Sequence, residues 1–434
     1  MFCLSGKPFR HQVLDPIKCS QQWFRGMVQK ASFATAYRGR EVGLLGVSAL
    51  VLQLVMVPTA TPVLAGPATS PDTEGWVRIV PQPVTINGRV FRPNCSGAPG
   101  TTSSTYSFYF RKGTADGLLV FFNGGGACWN SATCSKPRLA GDKAFFSGTN
   151  DQHMVGVYKA ELLPGDGPAR MGGLLDRANP QNPVRDWSML FVPYCTGDVH
   201  SGSNTAQYTM PDTGKPFKIE HRGWDNMQVI LPWLRANAAE PSRLLVSGSS
   251  AGAYGAATHF SVVRGLYPKA RAVYLGDSGQ GVTTPEFELL RNKTWNYTLP
   301  TTVFGPNAQN TADTEVVAKL AARFPKDRFA QFTTIQDATQ TAFYAQMGTK
   351  QSCNAWTNKM LSELAIRQAS TNFRSYVAQG DTHTILRAPL FYSEQSGGVP
   401  FTAWLQSLLS DTKMPENAIC STCSAPQQIG RAHV

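Results

Sequence analysis

The sequence predicts an α/β fold with a mostly parallel central sheet and helices on both faces. Apolar runs rich in β-branched and aromatic residues alternate along the chain with segments of helical periodicity. This alternation is typical of parallel sheets whose strands are joined by helical crossovers. The composition agrees, because 42% of the 434 residues are hydrophobic and 16% are charged, enough apolar material for a large core. It excludes a disordered, collagen-like or coiled-coil protein.

The predicted elements follow one another from residue 77 to residue 383. The early strands are VRIVP, TYSFYF, GLLVFF and SMLFVPYC, and a helix is predicted over 224–236 from the spacing of its apolar residues. The segment SRLLVSGSSAGAYGAATHFSVV passes from a strand into a helix. Three later strands lie in YPKARAVYLGDSG, DRFAQFTTIQDA and NFRSYVAQGDTH. Each ends in Asp or His, and the carboxyl ends of parallel strands are where such sheets place active residues.

The first 65 residues are predicted to be a signal peptide with an extended N-terminal region. An apolar stretch runs from Val42 to Val57, follows Arg38 and Arg40, and precedes the small-residue site Val63-Leu64-Ala65. As a helix it would be about 24 Å long, shorter than the roughly 30 Å hydrocarbon core. We therefore expect cleavage after Ala65, a secreted or periplasmic protein, and no stable membrane span after cleavage.

The rest of the chain is predicted to form one domain. Residues 66–76 are rich in Pro, Gly and Ser and are expected to be a flexible lead-in. The domain itself is expected over 77–425. Residues 426–434 are expected to be a non-native tail, because the last six resemble translated adapter DNA.

Charge and motif content limit the possible partners. The formal net charge is +12, of which +7 lies outside the first 65 residues. The chain has no basic helix and no zinc-finger spacing, so we expect no nucleic-acid binding. We find no metal-ligand cluster, Walker loop or dinucleotide fingerprint, so we expect no metal and no cofactor. We expect a monomer.

Cysteine usage indicates a disulfide framework. Export makes disulfides the default for Cys95, Cys128, Cys134, Cys195 and Cys353, although the sequence leaves their pairing open. A structural zinc site needs two clustered cysteine pairs, and the C-terminal CSTC motif supplies one.

Ser250 is the candidate nucleophile. It is the central residue of Gly248-Ser249-Ser250-Ala251-Gly252, which follows the strand RLLVS and opens a helix. This is the context that the G-x-S-x-G nucleophile elbow requires. The glycines allow a tight turn that lifts the hydroxyl out at the helix N-terminus. The alternative is a packing turn made of Gly and Ser.

A glycine loop is the candidate oxyanion hole. Asn123-Gly124-Gly125-Gly126-Ala127 directly follows the strand LLVFF. In esterases, backbone amides of such a loop act together with the amide of the residue after the nucleophile, here Ala251. The alternative is a plain glycine-rich turn.

His383 is the candidate general base, because the base follows the nucleophile and the acid along the chain in α/β-hydrolases. It closes the last predicted strand in a Gly-Asp-Thr-His turn. His200 is the chief rival, but it precedes Ser250 and is interpreted as a pocket or structural residue.

Two carboxylates could orient the imidazole. Asp337 follows the strand before the histidine, and Asp277 follows the strand after the serine. We favour Asp337, since the strand directly after the elbow is the less usual place for the acid. The sequence alone leaves both open.

Six blocks in this order resemble the pectinacetylesterase/Notum family of α/β-hydrolase-like carboxylesterases. They are NGGGACWNSATC, DWSMLFVPYCTGDVHSG, LLVSGSSAGAYGA, YLGDSG, IQDATQTAF and GDTHTIL. The resemblance extends from about residue 75 to residue 425. It implies an α/β-hydrolase-like fold, the catalytic residues Ser250, Asp337 and His383, and oxyanion amides from Gly125, Gly126 and Ala251.

The chain departs from the family pattern at two positions. Ala127 stands where eukaryotic members have the tryptophan of GGGWC, with Trp129 two residues later, and Ala253 replaces the second glycine after the elbow. Both departures are expected in the acyl or alcohol pocket. Trp129, Tyr254 and His200 are the candidate pocket residues.

The expected function is that of a secreted serine carboxylester hydrolase that deacetylates an O-acetylated polysaccharide. One alternative is an esterase for longer acyl chains or polyesters. Another is an inactive polysaccharide-binding module, which would have no need to retain Ser, Asp, His and the glycine loop together.

Overall fold

The computed structural model describes residues 71–138, 156–163, 165–349 and 354–420. The predicted signal peptide, the start of the lead-in and the predicted tail lie outside these ranges. Within them, no helix has both the length and the apolar character needed to cross a bilayer.

The described chain contains short and long β-strands in one large sheet and four small ones. In chain order the strands are β1 (Val77–Ile79), β2 (Val84–Ile86), β3 (Arg89–Phe91), β4 (Phe108–Arg111), β5 (Leu118–Phe122), β6 (Pro137–Arg138), β7 (Tyr158–Lys159), β8 (Ser188–Val192), β9 (Asn204–Thr209), β10 (Pro216–His221), β11 (Arg243–Ser249), β12 (Arg271–Asp277), β13 (Arg328–Thr334), β14 (Phe373–Ala378), β15 (Gln395–Ser396), β16 (Val399–Pro400) and β17 (Ala418–Ile419).

The large sheet has the strand order β1-β4-β8-β5-β11-β12-β13-β14-β17. Its pairs are parallel from β8 through to β17, and antiparallel only at the β1–β4 and β4–β8 edge. Strands β5, β11, β12, β13 and β14 lie side by side at the centre. Their carboxyl ends therefore meet at one edge, as expected for the active face of a parallel sheet.

Helices cover this sheet on both faces. The α-helices are α1 (Ser131–Cys134), α2 (Gly223–Asn237), α3 (Ala251–Leu266), α4 (Pro285–Trp295), α5 (Thr301–Phe304), α6 (Asp313–Arg323), α7 (Ala338–Gln346), α8 (Ala355–Gln368), α9 (Leu390–Ser393) and α10 (Phe401–Leu409). Three short 3₁₀ helices span Pro168–Arg170, Gly173–Leu175 and Ala308–Asn310.

Alternate residues of the central strands supply two separate apolar cores. In β5, Val120 and Phe122 belong to the core that packs under α2, α3, α6 and α8, whereas Leu119 and Phe121 belong to the core that packs under α10. Strand residues point alternately to opposite faces, so a strand buried on both sides is apolar throughout. The predicted fold class, a mostly parallel sheet between two helical layers, is confirmed.

Two predicted disulfides are present, and the structure supplies their pairing. Cys95 is bonded to Cys195 and Cys128 to Cys134, with sequence separations of 100 and 6 residues. Cys353, which we also expected to be bonded, lies outside the described residues.

We predict that the long-range disulfide contributes more stability than the short one. A cross-link removes more conformational freedom from the unfolded chain when it closes a longer loop. Replacing Cys95 and Cys195 together by alanine should lower the free energy of unfolding by about 4–5 kcal/mol, against about 2 kcal/mol for the Cys128 and Cys134 pair. Denaturant unfolding of both double variants under oxidising conditions measures this. A larger loss from the short loop would contradict the argument.

Candidate active site

Ser250 occupies a strained turn between β11 and α3. Its backbone has φ 59° and ψ −128°, in the left-handed region that few side chains adopt. The flanking glycines allow the turn, because a Cβ on Gly252 would lie 2.0 Å from the carbonyl oxygen of Phe122 and one on Gly248 would lie 2.2 Å from that of Gly252. The predicted strand-turn-helix context of Ser250 is therefore present.

The glycine loop after β5 lies directly against this turn, since β5 and β11 are adjacent in the sheet. A Cβ on Gly124 would lie 2.8 Å from the Cβ atom of Ser250, so only glycine allows the approach. Gly126 has φ 75°. In the described part of the chain, no backbone carbonyl accepts a hydrogen bond from the amides of Gly125 and Gly126. The sequence does not single out Gly124 as the residue that allows this close approach, although Gly124 belongs to the same glycine run.

His383 is held by Asp337. The Nδ1 atom of His383 lies 3.0 Å and 2.9 Å from the two carboxylate oxygens of Asp337. Asp337 is fully buried and caps α7, where it accepts hydrogen bonds from the backbone and side-chain amides of Gln340, both at 2.9 Å. The Nε2 atom of His383 is buried without a hydrogen-bond partner among the described residues. One nitrogen of the imidazole, Nε2, therefore makes no hydrogen bond within the described residues.

Asp277 has a different set of partners. Its carboxylate accepts hydrogen bonds from the Ser249 hydroxyl at 2.7 Å and from the backbone amides of Ile385 and Leu386, at 3.1 Å and 3.0 Å. Burial raises the pKa of this carboxyl. Asp277 thus ties the serine turn to the chain that follows His383, whereas Asp337 contacts the imidazole itself.

A cavity of about 590 Å³, its open mouth included, brings these residues together. Ser250, Ala251, Gly126 and His383 line it. Much of the remaining wall is apolar and comes from Trp129, Val199, Val282, Phe287, Phe343 and Met347. The Trp129 ring meets Phe287 edge-on with centroids 5.0 Å apart.

Tyr254 and Asp313 form the wall between this cavity and a second, smaller one of about 290 Å³. Asp313 accepts a hydrogen bond from the Tyr297 hydroxyl at 3.1 Å and lies 3.3 Å from Nη1 of Arg291. Burial raises the pKa of Asp313 to about 6. Ala253 faces the second cavity, whereas Ala127 faces the first. The two departures from the family pattern therefore lie in different cavities.

His200 is not a pocket residue, so that prediction is corrected. Its side chain is buried under the glycine loop, and its Nε2 atom contacts the carbonyl oxygen of Asn123 at 2.9 Å. Burial lowers the pKa of His200 to about 4, which keeps the ring neutral at ordinary pH. The cavity wall at this point is its neighbour Val199. Residue type suggested a polar pocket group, but burial makes His200 a support for the loop.

We predict that His259, which packs behind His200, makes the protein sensitive to acid. Its Nε2 atom contacts the carbonyl oxygen of His200 at 2.8 Å, and burial lowers its pKa to about 3. Below about pH 6.5, His259 binds a proton in the unfolded chain but not in the folded one. The free energy of unfolding therefore falls as the pH falls. The excess stability of wild type over His259→Gln should shrink by about 2 kcal/mol from about pH 7 to about pH 5. Denaturant unfolding of both proteins at the two pH values tests this, and a constant difference would contradict it.

Potential metal ligands come together at one place in the described ranges, namely Cys128, Cys134 and His221. The two sulfur atoms are joined in a disulfide. The nitrogens of His221 contact the Thr196 carbonyl and the Tyr208 hydroxyl, both at 2.9 Å. The sulfur atoms are therefore used by the disulfide, and the nitrogens of His221 are used by these two contacts. None of them offers a free ligand atom.

A family profile described as Pectinacetylesterase matches residues 92–334. A solved structure of the Wnt deacylase Notum from Drosophila has a similar fold, with a TM-score of 0.53 and 18% sequence identity. That similarity covers 78% of this chain and 98% of the other. No curated protein sequence matches the chain.

Proposed function

Because the chain belongs to the pectinacetylesterase family, we propose that it is a secreted serine carboxylester hydrolase with Ser250, His383 and Asp337 as its catalytic residues. The observation that carries the proposal is the hydrogen bonding of the two imidazole nitrogens of His383. Asp337 holds one imidazole nitrogen, the other has no partner within the described structure, and His383 lines the same cavity as Ser250.

The proposed reaction has two stages. Ser250 Oγ attacks the ester carbonyl while Nε2 of His383 takes the serine proton and then gives it to the departing alcohol. Water, deprotonated by the same nitrogen, then hydrolyses the acyl-enzyme and releases the acid. Asp337 keeps the Nδ1 proton of His383 in place and stabilises the imidazolium that forms in each stage.

The oxyanion of each tetrahedral intermediate is assigned to backbone amides of Gly125, Gly126 and Ala251. Support comes from the contact between the glycine loop and the serine turn, and from the amides that the loop leaves unpaired among the described residues. Ala251 is the first residue of α3, so its amide also lies at the positive end of the helix dipole. Each such donor contributes about 3 kcal/mol to transition-state stabilisation.

The proposed substrate is an O-acetylated polysaccharide, as the family name suggests. A second candidate, an ester with a longer acyl chain, is favoured by one observation. The cavity beside Ser250 is walled largely by apolar side chains, which suit a longer acyl chain.

The two substrates are separated by two assays on the same enzyme preparation under oxidising conditions. Acetate release from acetylated pectin is measured beside hydrolysis of p-nitrophenyl esters of increasing chain length. We expect acetate release and the fastest p-nitrophenyl turnover at acetate. Turnover that rises with chain length, without acetate release from pectin, would replace the polysaccharide by the longer-acyl candidate. Folded protein inert in every assay would reject the esterase proposal.

A further inference from the structure

One carboxylate interrupts the largely apolar wall of the cavity beside Ser250. Asp313, the first residue of α6, is 8% exposed and lines both this cavity and the second, smaller one. The proposed mechanism does not use it. A carboxylate is rarely buried beside apolar side chains unless its oxygens find partners. The contacts of Asp313 therefore indicate which chemical group the cavity can hold.

Only one carboxylate oxygen of Asp313 is used within the described residues. Its Oδ1 atom accepts a hydrogen bond from the Tyr297 hydroxyl at 3.1 Å and lies 3.3 Å from Nη1 of Arg291. The backbone amide of Asp313 donates to Oε1 of Glu288 at 3.1 Å. No donor among the described residues reaches Oδ2. Oδ2 is therefore the acceptor that remains available on Asp313.

The charge of Asp313 already has a partner. Arg291 is fully buried, and its guanidinium lies over the Tyr297 ring, 3.5 Å from the centroid. Glu288 adds a second carboxylate but is only half-buried, so water can hydrate it. Burial raises the pKa of Asp313 to about 6, so at higher pH its carboxyl group only accepts hydrogen bonds. Because Arg291 supplies the counter-charge, Oδ2 needs a hydrogen-bond donor but no further cation, and a neutral hydroxyl group meets this need.

Asp313 lies close to the serine turn. The segment that follows β12 contacts both, because a Cβ on Gly279 would lie 3.3 Å from the carbonyl oxygen of Ser250 and one on Gly281 would lie 2.5 Å from that of Asp313. Tyr254 stands one helical turn after Ser250 on α3, and burial together with the charge of Asp313 raises the pKa of its hydroxyl. A substrate held at Ser250 can therefore place one of its groups against Asp313 in the same cavity.

We propose that Oδ2 of Asp313 accepts a hydrogen bond from a hydroxyl group of the bound ester, so that Asp313 selects hydroxylated esters over alkyl esters of the same size. This inference rests on the proposed function and names its substrate class. An alkyl group against Oδ2 would strip the oxygen of hydration and supply no donor, whereas a hydroxyl group supplies one. A site built to hydrogen-bond a substrate hydroxyl rejects the analogue that lacks it.

The test uses pairs of esters in which a hydroxyl group replaces a methyl group. On the acyl side, the p-nitrophenyl esters of 3-hydroxybutanoate and 6-hydroxyhexanoate are compared with those of 3-methylbutanoate and heptanoate. On the alcohol side, 2-hydroxyethyl acetate is compared with propyl acetate. Each ratio of kcat/KM is divided by the ratio of the alkaline hydrolysis rates, which removes differences in intrinsic reactivity.

We expect the corrected kcat/KM to be about tenfold or more higher for the hydroxylated ester on one side of the ester bond, at about pH 7.5, where Asp313 is ionised. The side that responds identifies whether the acyl group or the alcohol reaches Asp313. Ratios near one in every pair would overturn the proposal.

p-Nitrophenyl acetate, which carries no hydroxyl group, separates this inference from the proposed function. If wild type hydrolyses p-nitrophenyl acetate but does not distinguish the members of any pair, the role of Asp313 fails and the esterase assignment stands. If wild type hydrolyses no ester at all, the esterase assignment itself fails.

A double variant, Asp313→Leu with Arg291→Met, locates the preference. Both charges are removed together, because Arg291 alone would be left buried without its partner. We expect the ratio to fall to about one or below, and the ratio cancels any general loss of activity. The matched control, Asp327→Leu with Arg264→Met, removes another ion pair, which lines neither cavity, and should keep the ratio.

Asp313→Asn provides the same test if the double variant does not fold. Its amide oxygen can still accept from Tyr297, but the NH₂ group at the other position cannot accept from a substrate hydroxyl. The ratio should therefore fall, since no charge-assisted hydrogen bond to the hydroxyl remains. An unchanged ratio in either folded variant would show that Asp313 does not select the substrate.

Discussion

Ser250→Ala is expected to lower kcat/KM for p-nitrophenyl acetate by about 10⁴-fold or more, since the variant lacks the hydroxyl on which the proposed acyl-enzyme forms. Ser250 is the residue at the strained turn, and its side chain lines the cavity that contains His383. Alanine keeps the Cβ atom and the backbone of the turn. Steady-state kinetics with circular dichroism of the variant measure the loss and check the fold.

Ser261→Ala is the matched control for this experiment. Ser261 lies on the same helix, α3, and its buried hydroxyl has no hydrogen-bond partner in the described structure. We expect its kcat/KM to remain within about twofold of wild type, because the substitution breaks no hydrogen bond among the described residues and Ser261 does not line the cavity. A folded Ser250→Ala protein with wild-type turnover would show that Ser250 is not the nucleophile.

Asp337→Asn is expected to lower kcat by about 10³–10⁴-fold and the free energy of unfolding by about 1–3 kcal/mol, because Gln340 donates to both carboxylate oxygens and asparagine leaves one of these donors unpaired. Both carboxylate oxygens of Asp337 lie within 3.0 Å of Nδ1 of His383. An amide in this place can turn its NH₂ group towards the imidazole, which then presents the wrong tautomer to Ser250. Kinetics at saturating substrate, together with thermal unfolding, measure the two effects separately.

Asp277→Asn is the comparison that decides between the two carboxylates. Asp277 accepts hydrogen bonds from Ser249, Ile385 and Leu386 on Oδ2, and its Oδ1 accepts from the Ser278 hydroxyl and the Ile385 amide. Asparagine has an acceptor for one of these positions, and its NH₂ group faces the donors at the other. We expect a loss of about 1–3 kcal/mol in the free energy of unfolding, from buried donors left unpaired. Activity should fall less than in Asp337→Asn at a temperature where both are folded. The reverse order would assign the acid to Asp277.

Local features of the site could be predicted from the sequence because their physical causes are local. Ser250 follows a β-rich run and precedes a helical one, and glycines two positions away on each side allow its backbone to turn. The glycine loop is likewise recognisable, since three successive glycines after an apolar strand have few other uses. The alternation of strands and helices is also visible along the chain, and it predicted the parallel sheet.

The partners of the site residues were decided only by tertiary structure. Asp277 is the last residue of β12, and Asp337 lies three residues after the end of the adjacent parallel strand β13, so chain order places both near His383. Which carboxylate meets the imidazole depends on the path of the chain after β14, where Thr384 adopts φ 66° and the next two amides turn to Asp277.

The position of His200 was also decided only by tertiary structure. Its residue type suits a pocket, but the packing of β5 and α3 around it encloses the ring and leaves Val199 at the cavity. Backbone turns are determined by neighbours along the chain and are therefore visible in the sequence. Side-chain contacts between residues 46 to 108 positions apart arise from packing, so only the folded structure determines them.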